Sequence, residues 1–282
     1  MTVTAATTPT APPAYRVRRA GPLFGAEITG LDLAAPVDEA TADALRREFV
    51  AHKVLVFRDQ HLEPEQHVAA VRIFGEPFDH PTAKRAAADG DLRFVYPYDV
   101  RSAGKAALWH VGGVWRTPPF SIESLTYQAV PELGGHTLWA DLQAAYDGLS
   151  EPVRALLESV SAVYEADPVN YAQGSAKVPT GKTIEHPVVF THPDTGRKGL
   201  FLSTGATDLT GVTSAEAKVL LPFLLQHAAS PDYTIRFSWR PGDFVLWDNR
   251  ATWHYAIDDY ADGPRRYRKV IATREHLAAP AA

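Results

Sequence analysis

The chain contains no cysteine among its 282 residues. That absence removes disulfides, thiolate metal ligands and cysteine nucleophiles together. Any metal must then be held by histidine, carboxylate or water. No apolar run reaches the ~18 residues that a membrane-spanning helix requires. Nor is there a surplus of positive charge. The 28 Lys and Arg against 33 Asp and Glu leave a formal net charge of −5, which gives no electrostatic case for nucleic acid as a partner. The first residues are rich in Thr, Ala and Pro, with no basic stretch ahead of an apolar one, and so read as a disordered tail rather than a secretion signal. A cytoplasmic location is the default expectation.

What is present is ordinary globular composition, 45% hydrophobic and 22% charged. No internal repeat or linker divides the chain. We expect a single domain over residues 15–275 with tails at 1–14 and 276–282. Residues 38–52 have a helical pattern, with Leu45 and Phe49 four apart. Lys53 to Arg58 follows as a short buried strand, and Pro64 opens a second helix that Gly75 closes. Residues 85–104 are polar and irregular, as in a loop over a site. Further strands are expected at Ile122–Ala129, His186–Thr191, Gly199–Leu202, Tyr233–Trp239, Asp243–Asp248 and Tyr267–Thr273, and helices after the N-cap candidates Ser150 and Ser214. Many short strands with few helices predict a mainly β fold, an antiparallel sandwich or jelly roll with flanking helices.

Two segments carry the chemistry. One is Leu108-Trp109-His110-Val111-Gly112-Gly113-Val114-Trp115; the other runs from Gly242-Asp243 through Trp247-Asp248-Asn249-Arg250 to His254-Tyr255. A histidine, a second ligand two residues on, and a distant histidine are the spacing of a two-histidine, one-carboxylate iron site. Here Gly112 stands where the carboxylate belongs.

Several blocks in order make a resemblance specific: His52-Lys53-Val54 through Arg58-Asp59-Gln60, Phe74-Gly75-Glu76, Gly134-Gly135-His136-Thr137-Leu138-Trp139, His186-Pro187-Val188-Val189, Thr191-His192-Pro193, and Trp247-Asp248-Asn249-Arg250 before His254. From about Val17 to Thr273 the chain resembles the taurine dioxygenase family of iron(II)/2-oxoglutarate oxygenases. The resemblance implies a distorted jelly roll (a cupin-like double-stranded β-helix), with Fe(II), 2-oxoglutarate and O2 as its working set. It implies His110 and His254 as iron ligands, and Thr137 with Arg265 as contacts to 2-oxoglutarate. Arg266 is the alternative, one residue on. A guanidinium suits the remote carboxylate of 2-oxoglutarate because it offers two parallel hydrogen bonds. His61, His67, His80, His227 and His276 are read as surface or hydrogen-bonded residues.

The departure at Gly112 makes that residue the catalytic determinant. A site without the carboxylate is the pattern of the related iron halogenases, where chloride takes the vacated position. Halogenation or other anion transfer is therefore one expectation, and Gly112→Asp is expected to restore a three-ligand site. The alternatives are a hydroxylase carrying an Asp-to-Gly substitution, a carboxylate reaching the iron from elsewhere (Asp141 or Glu123), and a silent ligand-binding protein. The two glycines also have a purely structural reading, as a bulge or a close backbone approach. On the substrate side, Lys269 and Ala106 stand where taurine-type members carry a second Arg and a polar residue, which argues against taurine itself. Trp115, Arg116 and Phe190 are candidates to line a pocket for a small, anionic molecule, with Arg116 facing a substrate carboxylate. Trp109 and Trp253 are read as packing beside the ligands. A homo-oligomer is expected from the family.

Overall fold

The computed structural model describes residues 15–79, 90–100, 106–165, 182–260 and 263–274. The expected tails, and residues 85–89 and 101–104 of the loop expected over residues 85–104, lie outside them. Within that loop, however, a 3-10 turn at Gly90–Phe94 leads into a regular strand, Tyr96–Val100.

The described residues form sixteen strands and five α-helices. In chain order the strands are β1 Arg16–Arg19, β2 Ala26–Thr29, β3 Val54–Phe57, β4 Glu76–Pro77, β5 Tyr96–Val100, β6 Ile122–Ala129, β7 Thr137–Asp141, β8 Ser161–Glu165, β9 Thr183–Pro187, β10 Val189–Thr191, β11 Lys198–Leu200, β12 Asp208–Thr210, β13 Thr234–Phe237, β14 Phe244–Asp248, β15 Thr252–Ala256 and β16 Arg265–Thr273. The helices are α1 Glu39–His52, α2 Pro64–Arg72, α3 Leu142–Asp147, α4 Glu151–Leu157 and α5 Ser214–Ala228. The large sheet runs β1-β2-β3-β14-β6-β16-β4, with β5 also paired to β16; only β2 and β3 are parallel within it. A smaller sheet, β13-β7-β15, is antiparallel throughout.

The helix ends follow local chemistry. Asp38 caps α1 by accepting from the Thr41 amide. Lys53 ends the helix in the left-handed region at φ 64° and turns the chain straight into β3. The expected cap of α5 moves by one residue. Thr213 is the N-cap and forms a capping box with Glu216, so Ser214 is the first helical residue.

Register decides which side chains meet. Val54, Trp247, Glu123 and Ile271 are cross-strand partners, so they share one face of the large sheet. Val56, Val245, Leu125 and Lys269 lie two positions along the same face. This inner face packs Val54, Val56, Tyr127, Val245 and Trp247 against Trp139, Phe237 and Trp239 of the smaller-sheet side. The opposite face buries Leu55, Phe57, Phe244, Leu246 and Val270 with Leu45 and Phe49 of α1 and Val68 and Val71 of α2. A third core joins α3, α4 and α5 to the strands β8 to β12. Glu123 and Lys269 are thus polar residues on the apolar inner face of a two-layered β fold, where a site can be built.

Candidate active site

His110 lies just outside the named strands but is bridged to β15. His110 and His254 exchange backbone hydrogen bonds in both directions, at 3.0 and 3.1 Å. That narrow antiparallel bridge puts the two rings on one side, with centroids 3.9 Å apart. Strand β15 positions His254, and the backbone bridge ties the irregular His110 segment to it. The Leu108 carbonyl, 2.7 Å from Nδ1 of His110, accepts that nitrogen's proton and leaves Nε2 free as a donor to a metal. Nδ1 of His254 is buried without a hydrogen-bond partner among the described residues. Burial pushes the His254 imidazole well below the usual range, and the nearby His110 and Lys269 add to the shift. Burial lowers His110 too, against the opposing pull of the Leu108 carbonyl and Glu123. Both rings are therefore neutral at pH 7, the protonation state that ligates Fe(II).

Gly112 is pinned by Asn249, which donates to the Gly112 carbonyl at 2.7 Å and accepts its amide at 3.1 Å. The two glycines have different reasons. Gly113 sits at φ +76°, a backbone state that favours glycine, with the Phe120 ring against its α-carbon. Gly112 is not in the left-handed region; it is glycine for want of room. A Cβ built there would lie 1.4 Å from Oε1 of Glu123. For Gly112→Asp to restore a ligand, the Glu123 side chain must therefore move out of the space that the new Cβ would take.

That carboxylate is buried. Its Oε2 is 2.6 Å from Nζ of Lys269 and 3.9 Å from Nε2 of His254, and neither oxygen has a hydrogen-bond partner among the described residues. Asp141, the other alternative carboxylate, is ruled out by its engagements. It receives Lys53 Nζ at 2.6 Å and caps α3 by accepting two backbone amides. Two imidazoles and a carboxylate are a donor set suited to Fe(II); their ligand atoms stand farther apart than those of His192, Asp194 and Asp248, which all lie within 4.8 Å of one another. A second group, His192, Asp194 and Asp248, also brings histidine and carboxylates together. There the charge is already balanced by Arg250, 3.0 Å from Asp194 and 2.8 Å from Asp248, and His192 is spent on Asp248 at 2.8 Å. It is an ion-pair network that fixes the turn before β15.

Further along the inner face, Arg265 is buried and Arg266 points to solvent. Arg265 donates to the Tyr127 hydroxyl at 3.0 Å, while its Nε is buried and unpartnered among the described residues. Thr137 is close by: its hydroxyl accepts from Trp239 Nε1 at 3.1 Å, and Trp239 stacks on Tyr127 at 4.6 Å. Tyr127 and Tyr260 were not among the sequence candidates. For Tyr127 the signal was available in the alternation of β6, which puts residues 123, 125 and 127 on one face.

The substrate-side candidates separate. Arg116 lies over Phe78 and Phe120, at 4.5 and 5.1 Å, and its Nη1 is buried without a partner among the described residues. Trp115 packs edge-on against Phe120 in the same cluster, which includes Ile271, the partner of Glu123. Phe190 is instead on β10, 5.9 Å from Phe201, beside the helix-side core. Lys269 is committed to Glu123. Trp109 and Trp253, each next to one of the two histidines in sequence, stack on each other at 6.0 Å. Of the other histidines, His67 and His227 are hydrogen-bonded to Ser124 and the Ala145 carbonyl, His61 packs against Gly242, and His80 and His276 lie outside the described residues.

The profile of the family described as taurine catabolism dioxygenase TauD, TfdA matches residues 16–271. The chain belongs to this family of Fe(II)/2-oxoglutarate-dependent dioxygenases, which use O2. It is 35% identical over 268 residues to an alpha-ketoglutarate-dependent sulfate ester dioxygenase of Pseudomonas putida, with 89% of this chain and 87% of that one covered. Identity to an alkylsulfatase of Acinetobacter baylyi is 34%, covering 89% of this chain and 83% of that one. A crystal structure of a taurine dioxygenase from Burkholderia xenovorans superposes with a TM-score of 0.80 at 32% identity, covering 92% and 89% of the two chains. The jelly-roll fold expected from the strand pattern is thereby established. No described helix is long and apolar enough to cross a membrane.

Proposed function

We propose that this dioxygenase hydroxylates an aliphatic C–H of a small anionic molecule, an alkyl sulfate ester or sulfonate, with iron on His110 and His254 and 2-oxoglutarate on Arg265 and Thr137. The observation that carries the reading is the pair of neutral imidazoles with centroids 3.9 Å apart, the His254 ring lying 3.9 Å from a buried carboxylate. Bound Fe(II), 2-oxoglutarate and O2 supply an oxidant able to take a hydrogen atom from an unactivated carbon, with succinate and CO2 as the co-products.

The chain's own residues bind and orient. Arg265 faces the remote carboxylate of 2-oxoglutarate with two parallel donors, and Thr137 adds a hydroxyl. Tyr127 and Tyr260 hold the guanidinium in place and keep water from it. Arg116 supplies the buried positive charge that an anionic substrate head needs, with the Phe78, Phe120 and Trp115 rings around it. Relatives that act on sulfate esters support this choice of substrate class.

Halogenation is the second reading, and Gly112 is what favours it. A halide on iron needs the volume that a missing carboxylate vacates, and Glu123 fills that volume. Hydroxylation is therefore the better-supported outcome. The test is turnover of a panel of alkyl sulfates with Fe(II), 2-oxoglutarate and O2, with and without chloride. Hydroxylation at the carbon bearing the sulfate gives an adduct that collapses to an aldehyde and inorganic sulfate. We expect succinate and sulfate in equal amounts, unaffected by chloride. A chlorinated product would select halogenation, and 2-oxoglutarate binding without succinate would select a silent binding protein.

A further inference from the structure

We infer that Glu123 is the carboxylate ligand of this site, so that the triad is His110, Glu123 and His254, with its carboxylate moved from the His110 segment to the neighbouring strand β6. This rests on reading the site as an iron centre, as above.

Four observations carry it. First, Gly112 and Glu123 compete for one volume: any side chain at 112 would collide with Oε1 of Glu123. The chain has glycine where a carboxylate would start and a glutamate whose head ends at the same spot. A carboxylate arriving from the adjacent strand has farther to come, and glutamate has one more methylene than aspartate. Second, Oε2 is 3.9 Å from Nε2 of His254. Two neighbouring ligands of a first-row divalent ion with bonds of ~2.1 Å stand about 3 Å apart, so a small contraction brings the donors together. Third, Glu123 is fully buried on an otherwise apolar face, where a carboxylate is unfavourable unless its charge is answered. Lys269 Nζ lies 2.6 Å from Oε2, and neither carboxylate oxygen has a hydrogen-bond partner among the described residues. A buried carboxylate beside one cation, with its oxygens short of hydrogen bonds, keeps lone pairs for a ligand. Fourth, Lys269 occupies the face position next to Glu123, because Lys269 and Ile271 alternate along β16 and Ile271 pairs with Glu123. Lys269 is thereby a positioning residue for Glu123 rather than an anchor for substrate. The transposed carboxylate also closes the coordination position that chloride would need.

The test uses the full chain, stripped of metal and titrated with Mn(II), with binding read by electron paramagnetic resonance of the free ion and folding by thermal melting. Four proteins are compared: wild type, Glu123→Gln, His254→Ala, and the double variant Gly112→Asp/Glu123→Ser, which returns the carboxylate to the other strand. We expect Glu123→Gln to bind Mn(II) at least about tenfold more weakly, His254→Ala not to bind, and the double variant to recover most of the affinity. Wild-type affinity in a folded Glu123→Gln, with binding still lost in His254→Ala, would overturn the inference and leave the iron reading standing. No Mn(II) binding by the wild type would overturn both. If Glu123→Gln does not fold, the double variant decides: binding supports the shared position, and a folded double variant that does not bind Mn(II) overturns it.

Discussion

Substitution Gly112→Asp measures how completely Glu123 owns the space beside the two histidines. An aspartate Cβ would begin 1.4 Å from Glu123 Oε1, so the glutamate must leave its position or the backbone must move. Overfilling a packed interior costs about 1–3 kcal/mol. The new carboxylate is also a second buried negative charge for which Lys269 is already spoken for, and an unanswered buried charge costs about 3–5 kcal/mol. Taking the low end of both, because the Lys269 side chain is 27% exposed and can screen part of the charge, gives about 4 kcal/mol. That is a large fraction of the 5–15 kcal/mol of a typical domain. Removing the glutamate as well empties the volume and restores a single charge. The pair should therefore be coupled by about 2–3 kcal/mol in the stabilising direction. Urea unfolding of wild type, Gly112→Asp, Glu123→Ala and the double variant, all in chelator, gives the coupling without any contribution from metal. Additivity within about 0.5 kcal/mol would refute the shared volume.

Arg265→Ala is expected to raise the 2-oxoglutarate requirement at least about tenfold, since a charge-assisted pair is lost, whereas solvent-facing Arg266→Ala should leave it unchanged; titration of both variants with 2-oxoglutarate separates them. Arg116→Gln should raise KM for alkyl sulfates while leaving 2-oxoglutarate binding intact, measured by succinate release, and an unchanged KM would remove Arg116 from the substrate pocket. The metal-free protein should lose stability as pH falls below about 6.5, the free histidine value. Burial, with Arg268 adding to it, holds His67 down to about 3, and burial depresses His110 and His254 as well. Between the depressed folded values and 6.5 the unfolded chain binds the extra protons, so acid favours unfolding. Melting temperatures in chelator from pH 7.5 to 5 check this, and His67→Gln should flatten the fall.

The sequence by itself determined much of this protein. Local patterns placed α1, β3, β6 and β14 close to where they lie, since periodicity, capping and turn residues act within a few positions of each other. The ordered blocks around His110, Thr137 and His254 were enough to identify the family and its iron and 2-oxoglutarate chemistry. Burial alone does not explain why β7 and β15 were not anticipated, since β3 and β14 are as short and as buried. Tertiary structure alone decided three things. Which of Arg265 and Arg266 is buried depended on the face of β16 that turns inward, and a bulge between Arg266 and Tyr267 shifts that register. Asp141 was eliminated by Lys53, 88 residues away in sequence. The meaning of Gly112 depended on Glu123, because the two meet only when the β6 strand passes beside the His110 segment. An absence in one strand can be filled from another, and only the pairing of strands reveals it.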